Sequence, residues 1–138
     1  MDVEERISEA EDNLEDWIRN AVNKTQEEMF KGDSAQLEKE EIMAINKIDK
    51  ALKKEGRQGI WGSVQYSVYT EEDEDGDPTL KLDTFGVPII PSDLSDVSVS
   101  IDEERRERFN NVLSEYGVKV SERIQEQFDE WVDDSDSN

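Results

Sequence analysis

Two amphipathic stripes bracket this chain, and they limit its fold more than any other feature. Val3, Ile7, Ala10, Leu14, Trp17 and Ala21 recur at spacings of four and three. That period places them on one helix face, widened by Ile18 and Val22 and closed by Met29-Phe30. Near the other end Phe109, Leu113, Tyr116, Val120, Ile124, Phe128 and Trp131 repeat in the same way. A helix over residues 2–30 and a last helix that starts just after Ser100 follow. Each leaves one apolar face that needs something to pack against.

Between the stripes the pattern changes twice. Lys31-Gly32-Asp33-Ser34 reads as a break, with Gly32 closing the first helix and Asp33, three residues before Gln36, capping the next. The second helix runs to about Glu55, with Leu37, Ala44, Ile45, Ile48 and Leu52 inward and Gly56 as its stop. A short loop between two amphipathic helices implies a helical hairpin.

From Gly59 the period becomes two. Ile60, Val64, Tyr66 and Val68 share one strand face, and Trp61, Gln65, Ser67 and Tyr69 share the other. The run from Glu71 to Pro78 is a turn, and Leu80 and Leu82 return as the second strand. Val97, Val99 and Ile101 suggest a third strand. Ser100 and Glu103 fit a capping box before the last helix. Gly117 is a soft spot inside that helix, costing about 1 kcal/mol relative to alanine. The predicted class is α+β: an N-terminal helical hairpin, a small antiparallel sheet and a long C-terminal helix. Residues 1–132 read as a single domain, and 133–138 as a disordered acidic tail.

Charge decides what such a domain can touch. The chain has 37 acidic and 16 basic residues, a formal charge of −21 over 138 residues. Eleven acids precede position 34 and twelve follow position 101, so the acid is a property of the whole surface. Self-repulsion at this charge weakens a compact state unless salt screens it. Adaptation to high salt is the first reading, although nine of the bases are lysine, a residue that salt-adapted proteins tend to avoid. Localisation would then be a high-salt cytoplasm or a virion. Nucleic acid is a disfavoured partner, since the field repels phosphate. The acidic N-terminus has no apolar core of a signal peptide, and no apolar run is long enough to span a membrane.

Cysteine and histidine are both absent. Disulfides, thiolate nucleophiles, Cys/His zinc sites and imidazole chemistry go with them. No cofactor motif and no phosphate-binding glycine loop is present, and no carboxylate lies in an apolar run that would raise its pKa. The expectation is a protein that is not an enzyme.

Three features remain as candidate sites. Asp73, Asp75 and Asp77, with Glu71 and Gly76, follow the start of an EF-hand loop. The twelfth position is Leu82 rather than a bidentate Glu, which leaves only non-specific cation binding. Lys47, Lys50, Lys54 and Arg57 recur at spacings of three, four and three, opposite Ile45, Ile48 and Leu52. Residues 34–58 hold six bases against five acids, the one stretch that is not strongly acidic. Trp61 and Tyr69 share a strand face otherwise made of small polar residues, as interface aromatics do. Together they predict a non-catalytic interaction protein or structural subunit, with a protein partner or a second copy bound there. The alternative is an acidic mimic of nucleic acid that occupies a basic binding protein.

Overall fold

A computed structural model describes residues 2–29, 37–61, 64–86, 88–92 and 101–136, the last two positions by backbone only. The order is α1 (Val3–Met29), α2 (Lys39–Lys54), β1 (Gln65–Glu72), β2 (Pro78–Phe85) and α3 (Glu103–Asp136). The α+β class is as read from the sequence.

The two stripes find each other. Trp17 of α1 meets Trp131 and Phe128 of α3 at ring centroid distances of 5.9 and 6.2 Å. Eight residues along α1, Thr25 accepts a hydrogen bond from Arg123. As α1 ascends α3 descends, so the helices run antiparallel. Ala10, Leu14, Ala21 and Met29 are buried on α1, and Phe109, Leu113, Tyr116, Val120, Ile124 and Phe128 on α3. Each fully buried Leu, Ile or Phe of this set contributes about 1.5–3 kcal/mol. Gly117 is buried inside an unbroken α3.

The strands β1 and β2 pair antiparallel, with Val68 opposite Leu82 and Thr70 opposite Leu80. Val68 and Leu80 are buried and Tyr66 and Leu82 half-buried, so this face covers the helices. The Tyr66 hydroxyl lies 3.4 Å from Ser121 Oγ of α3. Beyond β2, buried Pro88 and Ile90 alternate with exposed Ile89. Asn110 of α3 holds this segment by accepting from the Ile90 N–H at 2.7 Å and donating to the Ile90 carbonyl at 3.4 Å.

Several boundaries move, each for a local reason. The Lys31–Ser34 break and the Asp33/Gln36 cap lie outside the described residues, but α2 starts only at Lys39. Its first turn is closed by the Glu38 N–H donating to Glu41 Oε1 at 3.0 Å. β1 starts at Gln65 rather than Gly59. Ile60 is buried as expected, but in the turn that follows α2. The cap of α3 is Asp102, whose Oδ1 accepts the Arg105 N–H at 2.8 Å, so Glu103 is the first helical residue rather than the third that the expected box required. Positions 97–100 of the expected third strand lie outside the described residues. The C-terminal tail is helical to Asp136, since no Gly or Pro follows Gly117 to stop the helix.

Candidate functional site

The exposed side of α2 is the surface on which the sequence-level candidates converge. Ile45, Ile48 and Leu52 turn inward, which obliges Lys47, Lys50 and Lys54 to face solvent. Among the described residues no carboxylate lies within ion-pair distance of these three lysines. Some bases elsewhere are engaged: Arg19 with Glu15 and Asp16, Lys53 with Asp49, Arg106 with Glu103, Arg108 with Glu41, Arg123 with Glu28. Arg57 leaves the ridge. Gly56 adopts φ +77°, the Arg57 N–H returns to the Leu52 carbonyl at 2.9 Å, and the Gly56 N–H to that of Lys53 at 3.1 Å. This is a glycine-terminated C-cap, and it takes Arg57 out of helical register toward Glu55, 3.8 Å away.

Met43, one turn before Lys47, was not foreseen in the sequence. It is 52% exposed. A shallow groove of about 230 Å³ runs beside it, lined by Glu40, Met43, Ala44 and Lys47. Glu40 and Ala44 also line a second groove of about 260 Å³, walled on its far side by Arg105, Arg108 and Phe109 of α3. Glu41 ties the two helices there, since Arg108 donates to its Oε2 at 2.6 Å while its Oε1 closes the α2 cap.

Trp61 and Tyr69 are not brought together on one strand face. Trp61 is half-buried in the turn, its ring edge-on to Tyr116 at 5.3 Å and its Nε1 donating to Asn46 at 2.8 Å. Its backbone N–H points to Asp49 Oδ1 at 3.4 Å. Tyr69 is 43% exposed on the outer face of β1, opposite Lys81.

The aspartates of the hairpin serve the turn. Asp73 Oδ1 accepts the N–H groups of Asp75 and Asp77 at 3.0 and 2.9 Å, and the Asp73 N–H donates to the Asp77 carbonyl. Among the described residues no three metal-ligating side chains converge, at this tip or elsewhere.

The polar clamp across the α1/α3 seam was also unforeseen. Thr25 is fully buried, and its hydroxyl accepts from Arg123 Nη1 at 2.8 Å; Arg123 Nη2 donates to Glu28. The hydrogen bond from Arg123, aided by Lys24 and Lys119 nearby, holds the Glu28 carboxyl below the usual carboxylate range. The sequence did carry a signal: Thr25 sits four residues from both Ala21 and Met29, on the buried stripe. In the core, burial and then neighbouring Tyr66 push the Tyr116 phenol above its ordinary pKa. Burial raises Tyr66 too, against the lowering effect of its bond to Ser121.

The model of a family of unknown function, DUF7539, matches residues 2–135. The chain belongs to that family. The match takes in α1, α2, β1, β2 and all but the last residue of α3, so α2 and its exposed ridge lie within the DUF7539 region. Neither the curated proteins nor the solved structures contain a match. No helix among the described residues is long and apolar enough to cross a membrane.

Proposed function

We propose that this chain is a non-catalytic subunit of a protein assembly, adapted to high salt in the cytoplasm of a halophilic cell or in its virus. One observation carries the reading. On a surface of net charge −21, the exposed face of α2 keeps Lys47, Lys50 and Lys54 without carboxylate partners among the described residues, beside an exposed Met43. Unpaired cations flanking an apolar spot suit a contact in which another protein supplies the acid.

The perturbed groups support the same reading. Tyr116 and Tyr66 are shifted by the core they help to build, and Glu28 by the arginine that clamps two helices. Each shift traces to a contact that holds the fold together: burial for the two tyrosines and the Arg123 hydrogen bond for Glu28. The grooves along α2 are shallow and lined largely by charged side chains.

In-cell crosslinking followed by purification in about 2 M KCl tests the proposal. The expected result is a stoichiometric complex, with a second copy or a distinct protein, that Lys47→Glu/Lys50→Glu/Lys54→Glu weakens. A chain recovered only as a free monomer, uncrosslinked, would overturn it.

A further inference from the structure

Met29 and Met43 carry the same thioether into opposite surroundings. Of the chain's three methionines, Met1 lies outside the described residues. Met29 is 2% exposed, in the core at the end of α1 and one turn beyond the fully buried Thr25. Met43 is 52% exposed, in the shallow groove on the outer side of α2. It extends the lysine ridge, since Met43, Lys47, Lys50 and Lys54 recur at spacings of four, three and four.

The composition of the chain gives this contrast a chemical consequence. With no cysteine present, no thiol competes for an oxidant or relays it into a disulfide. Thioether sulfur is then the side-chain group most open to oxidation by a peroxide. Hydrogen peroxide is uncharged near neutrality, so the field of a −21 surface does not repel it as it repels an anion. What remains to set the rate at each methionine is access to its sulfur.

We infer that Met43 is a peroxide-sensitive modification site, at which oxidation changes the α2 face and leaves the fold intact. A lone pair on the Met43 sulfur attacks one peroxide oxygen, and the O–O bond breaks. The departing hydroxide takes the proton of the transferred oxygen and leaves as water. Sulfur is oxidised by two electrons, peroxide is reduced by two, and the product is methionine sulfoxide. Its oxygen is a hydrogen-bond acceptor one turn before Lys47, which lines the same groove and offers three donors. An exposed apolar spot becomes a polar one beside a cation. At Met29 the same oxygen would be a polar atom forced into the core, so oxidation there waits for the fold to open. The inference goes beyond the interaction reading above and does not depend on it, because it needs only the exposure of Met43 in the free chain.

The test treats the full chain with hydrogen peroxide in KCl at which circular dichroism shows the fold. N-acetylmethionine amide in the same solution is the freely exposed reference, and peptide mapping by mass spectrometry follows each methionine. Met43 is expected to gain one oxygen within about threefold of the reference rate and at least about tenfold faster than Met29. In urea the two rates converge. The chain oxidised at Met43 keeps its far-UV spectrum and elutes earlier from a hydrophobic-interaction column.

Substitution gives a second readout that needs no oxidant. Met43→Gln, with an oxygen acceptor on a side chain of similar length, should melt within about 2 °C of wild type, whereas Met29→Gln lowers the Tm by more than about 5 °C. Met29 oxidised as fast as Met43 in the folded chain would overturn the inference. So would a Met43 more than about tenfold slower than the reference. Helix content that falls as Met43 alone is oxidised, or a Met43→Gln chain that melts as low as Met29→Gln, would overturn it equally.

Discussion

Gly59→Ala places a methyl group where the turn after α2 has no room for one. An added Cβ would lie 2.4 Å from Asp49 Oδ1, 2.5 Å from Lys53 Cε and 3.2 Å from Asp49 Cγ. Lys53 can swing aside, because its side chain is 62% exposed. Asp49 cannot do so freely. Its side chain is 9% exposed, and its carboxylate holds Lys53 Nζ at 3.1 Å and faces the Trp61 N–H at 3.4 Å. Overpacking of this kind costs about 1–3 kcal/mol, so about 2 kcal/mol is expected. An unfolding entropy of about 2.1 cal/mol/K per residue gives roughly 0.29 kcal/mol/K over 138 residues, hence a Tm lower by about 7 °C. Thermal melts followed by circular dichroism in about 2 M KCl read this directly. In an Asp49→Ala background the same substitution should cost at least about 1 kcal/mol less, because the clashing carboxylate is gone. A Tm shift under about 2 °C, or strict additivity of the two changes, would refute the close approach.

Thr25→Val keeps the shape of a fully buried side chain but removes the acceptor for Arg123, and should lower stability by about 1–2 kcal/mol in urea titrations; an unchanged midpoint would contradict the clamp. The Glu28 carboxyl, depressed in the folded state, stabilises the fold above the ordinary carboxylate range, and that contribution is lost as pH falls through its folded pKa. Carboxyl-carbon NMR should place its titration below that of a free glutamate, and Arg123→Gln should return it toward the usual value. Tyr116 and Tyr66 are raised, so their contribution is intact below the ordinary phenol pKa of about 10 and declines as pH rises above it. Ultraviolet titration should show these phenolates appearing later than that of a free tyrosine, in step with unfolding.

The periodic elements were legible because burial wrote them into the spacing. The α1 and α3 stripes appear in the structure nearly residue for residue, and the period-two run around Val68 and Leu80 is the paired hairpin. Boundaries were less legible, since several residues compete for the same capping role. Asp102 caps α3 although Ser100 with Glu103 offered the fuller pattern, and Glu38 with Glu41 closes the start of α2. Trp61 shows a different limit. Alternation placed it on a strand, whereas Asp49, Asn46 and Tyr116, distant in sequence, hold it in a turn. Of the candidate surface, the lysine ridge was visible from spacing alone. Arg57 left it through the backbone turn at Gly56, and Met43 joined it because nothing described packs over that side of α2. Thr25 was hidden by its polarity, although its position on the stripe was not.

The central claim is that the charge of −21 is an adaptation to salt and that the fold and its contacts operate under screening. Far-UV circular dichroism and light scattering on the same samples, from about 0.1 M to about 3 M KCl, test it most directly. Over that range the Debye length falls from about 10 Å to 3 Å or less. The account predicts helix content and association that rise together with salt and are reduced or lost at the low end. A chain that is fully folded and monomeric at 0.1 M and unchanged at 3 M would contradict it, and would make the carboxylate surface itself the functional feature.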